Sequence, residues 1–160
     1  MVWRKATDDE TDETEETNAD PEQTRPLFVS VGGKGTILTS SDGTTWTSRT
    51  SGTSEHLWKV TYGNGTFVTV GGSGTLLTSP DGTSWISRTS GTTSVLYGVT
   101  YGNGTFVTVG SFYFYLNSWV ETILTSFDGF SWTQRTSGTS TNLSGVTYGN
   151  GLFVTVGWKT

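Results

Sequence analysis

The stretch Val60–Trp85, VTYGNGTFVTVGGSGTLLTSPDGTSW, recurs with small edits along almost all of the chain after residue 26. Asp42, Asp81 and Asp128 hold one position of this repeat; Trp46, Trp85 and Trp132 hold another. The step is 39 residues from Asp42 to Asp81 and 47 from Asp81 to Asp128, so the third unit carries an insertion of eight. A period of about 40 residues marks a propeller or a solenoid, whose units bury their apolar faces only by stacking on one another.

Each unit reads as short strands rich in Val, Thr, Phe and Trp, bounded by Gly, Asn, Asp and Ser. Four classes follow in order. Strand a covers 57–62, 96–101 and 143–148; strand b covers 28–31, 66–70, 105–109 and 152–156. Strand c covers 36–39, 75–78 and 122–125; strand d covers 45–50, 84–89 and 131–136. Glycine-rich links between them suit antiparallel hairpins, since Gly and Asn accept the positive φ of tight turns. The strands alternate poorly: Leu76 and Leu77 fall on opposite faces of TLLT. Both faces of each sheet are therefore expected to be covered, as in a propeller blade packed between neighbours. The expected fold is all-β, a propeller-like array of four-stranded antiparallel blades. It amounts to about three blade equivalents plus one extra strand, in the order bcd, abcd, abcd, ab.

Charge divides the 160 residues in two. Residues 1–26 hold nine acidic and three basic side chains, while 27–160 hold five and six. The first segment, with DDETDETEETNADPE at its centre, has too little apolar surface to offset its ordering entropy and is expected to be disordered. It is read as a solvating tail or as one that docks on a basic partner. Within it, Val2–Thr7 (VWRKAT) weakly echoes the a strand at Leu57–Thr61 (LWKVT). The repeat region, 27–160, forms the second domain. It lacks the clustered Lys and Arg of a nucleic-acid footprint, and no window reaches the length of a membrane span. The chain has no cysteine, so thiolate metal sites are excluded, and neither metal nor cofactor is expected. MVWRKATDDE lacks the apolar core of a signal peptide, which predicts synthesis in the cytoplasm.

The motifs Ser40-Ser-Asp42-Gly-Thr-Thr-Trp46, Ser79-Pro-Asp81-Gly-Thr-Ser-Trp85 and Ser126-Phe-Asp128-Gly-Phe-Ser-Trp132 resemble the Asp-box of bacterial neuraminidase repeats. That box lies on the turn between the third and fourth strands of a propeller blade. Here it is one residue shorter, with Asp and Gly adjacent. Aspartate and serine are expected to accept backbone N–H groups of their own turn, and tryptophan to fill the space between sheets. Asp-box propellers include sialidases, photosystem II assembly factors, sortilin-like receptors and phage tail or fibre proteins, so the resemblance implies a fold rather than an activity.

A sialidase resemblance would require an arginine triad drawn from unlike positions. Arg49, Arg88 and Arg135 are instead equivalents in SRTSG, SRTSG and QRTSG, and should form a stripe. Either each guanidinium is tied down locally, or the stripe binds an anionic partner, as the assembly-factor resemblance implies. His56, the single histidine, is read as a solvated loop residue, and the sequons at Asn64, Asn103 and Asn142 as turn or loop chemistry. No acid–base pair, triad or phosphate loop is found.

Repetition breaks in unit three. Its b–c hairpin carries Phe112, Tyr113, Phe114, Tyr115 and Trp119, with the turn expected at Leu116-Asn117-Ser118. At the opposite end of the same unit, Phe127 and Phe130 replace Pro80 and Thr83. Exposed aromatics in such numbers point to a contact surface. The expectation is a non-enzymatic structural or recognition module whose partners are other copies of itself, other subunits or a surface glycan. A virion surface or tail component fits the low-charge, Ser/Thr/Gly-rich composition best. An intracellular assembly factor using the arginine stripe is the alternative, and a glycan-binding or sialidase-like protein a distant one.

Overall fold

The computed structural model describes residues 27–114 and 118–158, with the backbone alone for Tyr113, Phe114, Ser118 and Trp119. The acidic segment 1–26, its VWRKAT echo and residues 115–117 lie outside the described residues. Among the described residues all of the regular structure is β apart from two one-turn 3-10 segments, Gly33–Gly35 and Gly72–Gly74. The first sheet holds β1 (Phe28–Val31), β2 (Ile37–Ser40) and β3 (Thr47–Arg49). The second holds β4 (Leu57–Gly63), β5 (Thr66–Gly71), β6 (Leu76–Ser79) and β7 (Ile86–Ser87). The third holds β8 (Val95–Gly102), β9 (Thr105–Phe114), β10 (Ser118–Ser126) and β11 (Thr133–Arg135), and the last β12 (Asn142–Gly149) and β13 (Leu152–Trp158). Strands pair in chain order, all antiparallel, in sheets of three, four, four and two. The bcd, abcd, abcd, ab reading is thus the observed one.

Local chemistry sets the hairpins. Asn64-Gly65, Asn103-Gly104 and Asn150-Gly151 all have positive φ, as a two-residue type I′ turn demands. Every a strand is bulged at one place, between Leu57 and Lys59, Leu96 and Gly98, and Leu143 and Gly145. A bulge breaks the ladder locally. The facing b strand answers with a threonine: Thr69, Thr108 and Thr155 donate to the carbonyls of Lys59, Gly98 and Gly145 at 2.9, 2.8 and 3.0 Å.

Packing runs between sheets, and the core is a set of seams. Val68, Val70 and Leu76 of the second sheet meet Leu96, Val99, Phe106 and Leu124 of the third, with Tyr101 and Trp132 against them. Ile37 of the first sheet meets Leu57 and Leu77 of the second, beside Val29, Val31 and Trp85. Val107 and Val109 meet Leu143 of the last sheet, beside Ile123 and Val146. Hence both faces of an inner sheet are buried, which explains why the strands alternate poorly. The d strands are shorter than their sequence suggests, two or three residues each, because an outermost strand pairs along one edge only. In the third sheet β9 and β10 run on past the blade. Phe114 pairs with Ser118, so Ser118 belongs to a strand rather than to the turn expected there.

Candidate partner-binding surfaces

The three Asp-box turns have one geometry. Ser40, Ser79 and Ser126 Oγ donate to Asp42, Asp81 and Asp128 Oδ1 at 2.9, 3.0 and 2.9 Å. The same hydroxyls accept the N–H of Gly43, Gly82 and Gly129, each at 2.8 Å. Each carboxylate takes two further backbone N–H groups at 2.8 Å: Thr44 and Thr45, Thr83 and Ser84, Phe130 and Ser131. Hydrogen bonds to the ionised form favour it. The Thr45 and Thr44 N–H groups hold Asp42 well below the usual carboxylate range, and the Ser84 N–H leads the same effect at Asp81. Asp128 is lowered to about 2, chiefly by the Ser131 and Phe130 N–H groups. These carboxylates are committed to their turns.

The tryptophans close the motif. Trp85 and Trp132 Nε1 donate to the carbonyls of Gly82 and Gly129 at 2.9 and 3.0 Å, and both rings reach the seam with the preceding sheet. Trp46 belongs to the first sheet, has no preceding sheet to pack on among the described residues, and is 41% exposed.

The three repeat-equivalent arginines share one contact. Arg49, Arg88 and Arg135 donate from Nε to Thr39, Thr78 and Thr125 Oγ1, each at 2.9 Å. The threonine sits ten residues earlier on the neighbouring c strand in all three cases, a pairing that sequence reading missed although the spacing was there. This contact fixes the plane of each guanidinium while leaving its terminal nitrogens to other partners. No ion pair joins these arginines to a carboxylate among the described residues. Arg88 also lies over the Phe130 ring of the next sheet, its Cζ 4.4 Å from the ring centroid. Two residues expected to belong to separate surfaces therefore meet at one seam. Arg88 further borders a cavity of about 760 Å³, with Gly52, Thr53, Ser73, Thr75 and Thr92 among its walls. It is the one charged residue among the described residues that line it.

The aromatics of unit three sit at opposite ends of the third sheet, since Phe114 faces Ser118 at one end of the β9–β10 ladder and Phe106 faces Ser126 at the other. Phe127 is 72% exposed, and its carbonyl accepts a hydrogen bond from Asn64 Nδ2 at 3.3 Å. Phe112 is exposed at the hairpin base. The side chains of Tyr113, Phe114, Tyr115 and Trp119 lie outside the described residues. His56 is exposed just before β4, its ring 5.5 Å from that of Trp58. Asn142, in contrast to the loop reading, is buried in β12 with its side-chain oxygen unpartnered. Among the described residues no group of three or more His, Cys, Asp or Glu could hold a metal ion, and no helix is long and apolar enough to cross a membrane.

The structure is similar to one of YCF48 bound to D1 peptide, with a TM-score of 0.54 and 19% sequence identity. The match covers 85% of this chain and 51% of YCF48, so the chain spans about half the length of that protein. Likeness at this level of identity concerns the fold, an all-β, propeller-like stack of antiparallel sheets. No protein-family model matches the sequence, and no curated protein matches it.

Proposed function

We propose that the chain is a non-enzymatic recognition module that binds an acidic segment of a partner protein through the row Arg49, Arg88 and Arg135. The observation that carries this reading is the repeated Nε contact. Three guanidiniums are oriented by threonine and left without carboxylate partners among the described residues. An oriented guanidinium fork suits carboxylates, which it can take in bidentate fashion. The YCF48 structure holds a D1 peptide, and a peptide-binding role for a similar fold supports the same class of partner. The assembly-factor alternative is therefore preferred to the virion reading, which rests on composition and has no counterpart among the contacts. Glycoside chemistry usually needs two carboxyl groups facing one bond. Asp42, Asp81 and Asp128 are committed to turns, and Glu121 accepts from the Ser137 hydroxyl at 3.0 Å.

The test is fluorescence anisotropy with a labelled octaglutamate peptide. Binding should weaken as salt is raised, because exposed charges are screened. With each exposed charge contact contributing about 0.2–1 kcal/mol, changing all three arginines to Gln should weaken it by about tenfold. A folded triple variant that binds as the wild type does would overturn the reading.

A further inference from the structure

Among the described residues two ends of the stack are open, and they match. Strand β13 repeats β1 almost residue for residue: Leu152-Phe153-Val154-Thr155-Val156-Gly157 against Leu27-Phe28-Val29-Ser30-Val31-Gly32, with Thr155 for Ser30 the single difference. Every other b strand carries a c strand on its outer edge in the same register, Phe28 opposite Ser40, Phe67 opposite Ser79 and Phe106 opposite Ser126. Phe153, their equivalent, has no such partner among the described residues. Val154 and Val156 are exposed, as is Trp158 at the strand end. An apolar strand with an open edge is a template for another strand. Conversely, β1 has no a strand beside it among the described residues.

The inner strands show the same gap. Tyr101 covers Gly63 and Tyr148 covers Gly102, so closely that a Cβ at either glycine would overlap the ring. Among the described residues the series leaves Gly149 without a tyrosine and Tyr62 without a glycine. A Cβ built on Gly149 meets none of them within 4 Å, and Tyr62 is 56% exposed.

We infer that the β12–β13 hairpin of one copy completes the first sheet of a second copy. Strand β13 takes the place of β1 beside β2 of that copy, β12 supplies its inner strand, and Gly149 comes to lie under the second copy's Tyr62. The hairpin moves as a unit, because β12 is already paired along its length with β13. The incoming strand presents the same pattern of apolar and hydroxyl side chains as the one it displaces, so β2 keeps its ladder. The gains are a covered hairpin and a filled Tyr–Gly contact. Opposite ends of the chain meet, which makes the interface head-to-tail, and such interfaces produce closed rings when the rotation closes. Each copy holds two four-stranded sheets, and the exchange completes a third from the other copy's hairpin, so two copies give six blades, inside the usual range of about four to eight.

Sedimentation velocity of the full chain at micromolar concentration tests this. Wild type should sediment as a dimer. Gly149→Leu, placed where the single chain has open space, should sediment as a monomer with an unchanged far-UV spectrum. If Gly149→Leu fails to fold, Tyr62→Ser at the exposed ring serves instead and should also give a monomer. A monomeric wild type, or folded variants that dimerise as it does, would overturn the inference.

Discussion

The ring of Tyr101 covers Gly63 across the seam between the second and third sheets, and Tyr148 repeats the contact on Gly102. These glycines belong to the sequence TYGNG but differ in role from the glycine two places on. Gly65 and Gly104 have positive φ and make the turn; Gly63 and Gly102 have no such φ and are there for want of a side chain.

Gly63→Ala and Gly102→Ala should each destabilise the fold by about 1–3 kcal/mol, the usual cost of overpacking a well-filled contact. Urea unfolding followed by tryptophan fluorescence measures it. Wild-type midpoints for both variants would mean that the seam is loose.

Acid should weaken the Asp-box turns. In the folded chain the Asp128 carboxyl titrates at about 2, below its unfolded value of about 3.9. A depressed folded pKa contributes stability that is complete above the unfolded value and lost as pH falls through the folded one. Asp128→Ala should therefore be less stable than wild type at neutral pH, by about 1 kcal/mol if the turn behaves as a helix cap does. The difference should shrink as pH falls from about 4 toward 2. A difference independent of pH across that window would contradict the role given to the ionised carboxylate.

The tryptophans should differ although the repeat makes them equivalent. Trp132 packs against the cluster around Phe106, its ring centroid 6.4 Å from that of Phe106. Replacing it by Ala should cost about 3 kcal/mol. Trp46 has no preceding sheet beside it among the described residues, and Trp46→Ala should cost less than about 1 kcal/mol. Equal losses in thermal unfolding would show that Trp46 is covered in solution.

Much of this was legible because the repeat reports the same facts three times. Strand classes, their order, the hairpin turns and burial of both faces follow from glycine spacing and from the failure of TLLT to alternate. The Asp-box contacts were legible because Ser, Asp and Gly at fixed offsets can satisfy only local N–H groups. The Tyr–Gly seams were not, because a glycine next to Asn-Gly reads as turn chemistry until the neighbouring sheet is placed. The Thr–Arg pairs were missed for a related reason. A diagonal contact across a c–d hairpin depends on register, and the short d strands hide it. Asn142 was misread because it occupies the position of His56 and Val95, where only the neighbouring sheet decides what is buried.

The most direct measurement follows the arginine Nε–H signals of the full chain in a proton–nitrogen correlation spectrum while octaglutamate is added. Held by Thr39, Thr78 and Thr125, the three Nε–H groups should give sharp signals at low temperature, and all three should shift on titration with a common saturation point. Backbone signals of the β9–β10 hairpin should stay in place. Shifts confined to that hairpin, with the arginine signals unmoved, would contradict the claim that the row is the recognition surface.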